Sequence, residues 1–178
     1  MSGYTKLQVA GTQLQTAVRL LFEDSEPFSV ETLCGAVLGV LHALAERHNI
    51  KGLLNNPELI RPEVKETWHK KLHEVPNFLK HADKDWDAII DYNPEVLPYK
   101  LFEATALYDK LTNVLEHATK SERFVAVYQF WFGITHPNLV KKEETQWTGL
   151  LKKRAEKLPS NAGKDFFLSL LLERKPQM

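Results

Sequence analysis

Apolar residues three and four apart recur along most of this chain, and that spacing permits little besides α-helices. Leu7, Ala10, Leu14, Ala17 and Leu21 fall on one stripe of a helix, and Leu101, Ala104, Tyr108, Leu111 and Leu115 repeat the pattern. The second periodic stretch, Val30 to His48, is apolar over most of its circumference, through Val30, Leu33, Val37, Val40 and Leu44 and a second row of Cys34, Leu38, Leu41 and Ala45. A helix apolar on so many sides belongs at the centre of a bundle. Gly35 and Gly39 lie four apart on it and would let another helix come close, at about 1 kcal/mol each in helix propensity.

Prolines and caps divide the pattern. Pro27 is expected to stop the first helix and Ser29 to cap the second. The segment 49–61 reads as a loop, and Pro62 suits the first position of a third helix carrying Val64, Trp68, Leu72 and Val75. Pro76 should interrupt that helix, with Phe78 and Leu79 turned inward beyond it. Between 83 and 98 the periodicity fails, and Pro94 and Pro98 predict an irregular acidic loop. Ser121 is expected to cap a strongly apolar helix through Phe124, Val125, Val127, Phe130, Trp131, Phe132 and Ile134, ended by Thr135-His136-Pro137. Further helices are expected at 143–158 and 164–174. Six to eight helices with short connections define an all-α, up-and-down bundle, a single domain over 1–178.

Composition narrows the function. The 178 residues hold 23 basic and 23 acidic side chains, so no bulk charge draws the chain to nucleic acid or anionic lipid. The lone cysteine, Cys34, excludes an intrachain disulfide and a thiolate zinc cluster, and its apolar surroundings mark a packing residue. Neither a glycine-rich phosphate loop nor a GxSxG elbow occurs. The first residues lack the basic-then-apolar pattern of a signal peptide, and no apolar run near 18 residues stands out. The chain is therefore expected in the cytoplasm, with no membrane partner and no cofactor.

Four constellations carry chemistry. His69 and His73 lie four apart on a helix and could share a metal, although Lys70 stands where a zinc protease has glutamate and two lysines repel a cation. Asp83, Asp85 and Asp87 alternate in the acidic loop, where five acids face one lysine between 83 and 95. Asp83 and Asp85 could hold a hard cation; otherwise the loop is solvated and its aspartates cap helix ends. Asn77 and His81 point the same way on a helical turn with Lys80 beside them. Such a histidine could activate a ribose hydroxyl without a metal, with Asn77 on phosphate and Lys80 offsetting charge; alternatively it fixes the exit into the acidic loop. Finally, nine basic residues meet five acids between 139 and 178, and Lys152, Lys153, Arg154 and Lys157 form a patch that would contact phosphates or simply be solvated.

The Asn77-x-x-x-His81 pair resembles half of the motif of the HEPN (higher eukaryote and prokaryote nucleotide-binding) family, and NFLKHAD, residues 77–83, is similar to a segment of uncharacterised bacterial helical proteins. The family resemblance covers about residues 30–115. It implies an all-α bundle that often dimerises and whose active members are metal-independent ribonucleases. This chain has Pro76 where the family's arginine falls, and no arginine occurs between Arg61 and Arg123. Lys80 lacks the bidentate fork that arginine offers to phosphate. The expectation is accordingly a non-catalytic, HEPN-like bundle that forms a homodimer or docks a protein partner. RNA or nucleotide chemistry at His81 is the alternative, and divalent-cation binding at Asp83–Asp87 a second one.

Overall fold

The computed structural model of the protein describes residues 3–53, 62–81, 83–116, 122–136, 156, 158 and 163–172, and every regular element among them is helical. The elements are α1 (Lys6–Phe22), α2 (Pro27–Arg47), α3 (Pro62–Lys80), a 3₁₀ turn (Pro94–Val96), α4 (Leu97–Leu115), α5 (Arg123–Thr135) and α6 (Lys164–Leu172). The α-helical class read from the spacing is the class observed. Of the helix expected over 143–158 only Glu156 and Leu158 are described, in a turn and a bend; the cap at Ser121 and the side chains of Val64 and Trp68 lie outside the described residues.

Local chemistry sets the helix ends. At the start of α1, Thr5 and Gln8 form a reciprocal capping box, with the Gln8 amide donating to Thr5 Oγ1 and the Thr5 amide to Gln8 Oε1. The second helix begins earlier than its sequence suggests. Pro27 occupies its first turn, and the Glu26 carboxylate, not Ser29, accepts from the Phe28 and Ser29 amides at 2.7 and 2.9 Å. The missing N–H of proline costs nothing there, because first-turn amides have no helical acceptor. The hydrogen bond from the Phe28 amide leads the causes that hold the Glu26 carboxyl below its ordinary range.

Pro76 likewise fails to break α3, which runs through it to Lys80. The ring is buried, and a Cβ built on Gly35 of α2 would lie 2.5 Å from Pro76 Cγ. The glycine therefore makes room for the proline, and packing outweighs the lost backbone bond. Leu72 and Val75 face the core as expected, but Leu79, in the last turn of α3, is 45% exposed rather than turned inward. The irregular segment ends at Asn93, whose side chain accepts from the Glu95 amide at 2.9 Å and starts the 3₁₀ turn that leads into α4. It is thus shorter than the 83–98 expected, because Pro94 and Pro98 sit at helix starts rather than inside a loop.

Helix α5 packs on α4 and α1, and α6 on α5 and α1. Helix α2 packs on α1, α3 and α4, but its face at Ala36, Gly39 and Ala43 is exposed, so it is not the enclosed central helix its all-round apolarity suggested. It also has the length and composition of a membrane span, with a mean hydropathy of 1.6 over 18 residues, which corrects the reading that no stretch of this kind occurs. Here its apolar side chains Val30, Cys34, Val37, Leu38 and Leu41 are buried against its neighbours. An aromatic hub joins the other helices: Phe22 of α1 meets Trp131 edge-on at 5.4 Å and lies 6.1 Å from both Tyr128 and Phe167 of α6. Tyr128 completes the hub by donating its hydroxyl to the Pro98 carbonyl at 2.7 Å.

Candidate functional site

Charged residues occupy positions that the apolar stripe of α4 would give to leucine. Lys100 and Glu103 lie among Leu97, Leu101, Ala104 and Leu107, and both are buried. Their partners come from α2. Lys100 Nζ donates to Glu31 Oε2 at 2.8 Å, with both side chains almost wholly withdrawn from solvent. Two charges removed from water at this depth are tolerated only as a pair. The second oxygen of Glu31 and the hydroxyl of Tyr92 are buried near enough to influence each other's acidity, but neither atom has a partner in good hydrogen-bond geometry. They border a cavity of about 10 Å³, lined also by Lys71, Glu74, Val75 and Asn93. That is the space of one bridging water.

Electrostatics follow the burial. Desolvation raises the Glu31 carboxyl above its ordinary range against the pull of Lys100. It also pushes the Tyr92 phenol up to about 12, with the Glu31 charge adding to the effect. At the mouth, the half-exposed Lys71 and Glu74 pair at 2.8 Å. A second polar contact continues the seam: Glu103 Oε2 accepts from the Leu53 amide at 2.8 Å, and Oε1 lies 3.5 Å from His42 Nε2. This carboxylate fastens the segment that follows α2 onto α4. Gly52 sits so close to Glu103 that a side chain there would strike it. Near this contact the His73 imidazole is held below its ordinary pKa, first by burial and then by the positive fields of His42, His69, Lys100 and Lys80.

This seam holds acids, a lysine and a phenol, but its free volume admits no substrate larger than water. The residues singled out from the sequence sit elsewhere. Asn77, Lys80 and His81 are exposed, and none of them lines the seam cavity, the groove along α2 or the cleft beside Trp131. With Leu72, Val75 and Pro76 turned inward, the helical period places 77 and 81 on the opposite side of α3. What His81 contributes is backbone: its carbonyl accepts from the Lys84 and Asp85 amides at 2.8 and 3.2 Å, which turns the chain out of α3.

Asp83, Asp85 and Asp87 are all exposed, and His69 and His73 remain on the flank of α3. No three His, Cys, Asp or Glu side chains converge on a metal-sized point among the described residues. The basic patch Lys152, Lys153, Arg154 and Lys157 lies outside them. Cys34 is fully buried, and desolvation raises its thiol far above the ordinary range, which fits a packing residue. The sequence reading passed over Glu31, Lys100 and Glu103, though a signal existed in charged residues on an otherwise apolar helix face.

No protein-family model matches this chain, and no curated protein or solved structure matches it either. The class that fold and site define is an all-α bundle with a buried ionic seam.

Proposed function

We propose that this protein is a non-catalytic bundle that associates with a protein partner, in the first place a second copy of itself, through the acidic segment between α3 and the 3₁₀ turn. The observation that carries the reading is the exposure of Trp86 and Ile89, at 84% and 96%. Two large apolar side chains so near each other, with Leu79 also exposed, are costly to leave in water and are the residue types that anchor interfaces. Their backbone is held: the Ala88 amide donates to the Asp85 carbonyl at 2.9 Å, next to the turn anchored on His81. A preformed segment loses less entropy on docking. Exposed Asp83, Asp85, Asp87 and Asp91 flank the two anchors along the chain and call for a cationic counterpart. Lys152, Lys153, Arg154 and Lys157 supply one in the sequence of a second copy.

Sedimentation equilibrium tests this reading. Wild-type protein is expected to dimerise, and the W86A/I89S variant to raise the dimer dissociation constant at least about thirtyfold, the loss of one strong anchor. Reversing Lys152 and Lys153 to glutamate should weaken the dimer in the same direction and flatten its salt dependence. A wild-type protein that stays monomeric, or a dimer indifferent to W86A/I89S, would remove the support for this segment as the interface.

Ribonuclease chemistry is the weaker reading because Pro76 stands where an arginine would be needed to hold phosphate, and Asn77 and His81 line none of the cavities described above. Purified protein in EDTA is expected to leave a single-stranded RNA intact, with His81→Ala indistinguishable from wild type. Cleavage abolished by His81→Ala would bring that reading back and name Lys80 as the cation.

A further inference from the structure

The two glycines of α2 have different surroundings. Gly35 makes way for Pro76, as described above, whereas a Cβ added at Gly39 would meet nothing within 4 Å. Gly39 therefore bears the helix-propensity cost of glycine with no neighbour among the described residues to justify it. It opens into a groove of about 450 Å³ whose floor is Ala36, Gly39, Val40, Ala43 and Leu44 and whose charged lining residues are Lys6 and Arg47. Among the described residues no acid lines it and neither cation is engaged in an ion pair.

These features specify a ligand chemistry. The volume is in the range of small-molecule sites. The floor offers only aliphatic groups and backbone, so it selects an apolar chain over a polar or aromatic hydrogen-bonding ligand. Both cations sit at helix ends: Lys6 opens α1 and Arg47 closes α2. The positive end of one helix dipole thus neighbours the negative end of the other, and the two side-chain charges decide the sign of the field. From Ala36 to Arg47 the helix rises about 16 Å, roughly the span of an extended acyl chain of medium length.

We propose that this groove binds a single-chain fatty carboxylate, its tail along Ala36–Ala43 and its carboxylate between Lys6 and Arg47. The carboxylate gains two charge-assisted contacts at the open end of the groove, and the tail covers apolar surface that now faces water. The site uses none of the residues of the 81–93 segment, so its test is independent of the self-association reading.

Sodium dodecanoate, kept below its micelle concentration, is the probe, titrated into the ¹⁵N-labelled full chain. Saturable shifts are expected at the amides of Lys6 and of Ala36 to Arg47. Dodecanol and dodecyltrimethylammonium, with the same tail and no anionic head, should bind at least about tenfold more weakly. Gly39→Leu fills the groove from a position with room for a side chain and with better helix propensity, so it stays folded and should abolish the shifts. K6E/R47E should weaken dodecanoate at least about tenfold while leaving dodecanol unchanged. Equal affinity for the three amphiphiles, shifts centred on other helices, or full binding by Gly39→Leu would each overturn the proposal. So would a Gly39→Leu effect confined to self-association, which would make the groove a seam between copies.

Discussion

Lys100→Met is expected to destabilise the protein by about 3–5 kcal/mol at neutral pH, the largest effect of any single polar substitution considered. Methionine replaces the lysine stem almost atom for atom, so little packing is lost. What remains is Glu31, wholly buried, with one oxygen lacking a well-formed hydrogen bond and the other deprived of its 2.8 Å donor. The variant can fold only with that carboxyl protonated or with water drawn into the core. The pH dependence has a fixed sign. Desolvation already raises the folded-state pKa of Glu31 despite Lys100, and removing Lys100 raises it further. A carboxyl raised in the folded state favours folding below its unfolded pKa and opposes it as pH rises. The deficit of Lys100→Met should therefore shrink between pH 7 and pH 4.5.

Urea unfolding at the two pH values measures this, with E31L/K100M as the companion. Replacing both charges by apolar groups of similar size should recover most of the loss, because the cost lies in one unpaired buried charge. A deficit below about 1 kcal/mol, or one that grows as pH falls, would show that the pair is open to solvent.

Gly35→Ala and Gly39→Ala should change stability in opposite directions, although they make the same substitution four residues apart on one helix. At Gly39 the methyl enters open space, and the gain in helix propensity of about 0.8–1 kcal/mol is kept. At Gly35 the same gain is offset by a contact of 2.5 Å with Pro76 Cγ, which no side-chain rotation can relieve because the proline ring is part of its own backbone. Overpacking of this kind costs about 1–3 kcal/mol, so Gly35→Ala should lose up to about 2 kcal/mol net and shift α3 away from α2. Thermal unfolding of both variants decides it. If both are stabilised, Pro76 is not seated against α2, and the continuity of α3 through that proline loses its packing explanation.

How much was legible beforehand depended on the range of the interaction. The stripes of α1 and α4 followed directly from residue spacing, since a side chain's face on a helix is set by its neighbours three and four away. The errors came where a local rule had two outcomes. A proline can end a helix or open one, and Pro27 opens α2 because Glu26 supplies the cap that Ser29 was expected to give. A proline can also sit inside a helix when something accepts its ring, and Gly35 does so for Pro76. At the site, the Asn77–His81 pair was conspicuous by spacing alone, yet its direction depends on which face of α3 the bundle buries. Glu31 and Lys100 drew no notice because 69 residues separate them and neither belongs to a short motif.

By itself, then, the sequence determined that this chain is helical, where most of its apolar stripes run, and that Cys34 packs rather than reacts. All three follow from contacts within one or two turns or from composition. Only the tertiary structure decided that Lys100 meets Glu31 and that Glu103 holds Leu53. It likewise settled that Gly35 is occupied while Gly39 is open, and that Trp86 and Ile89 face water. Those outcomes depend on which helix lies against which, and that choice is made by the sum of many weak apolar contacts across the bundle.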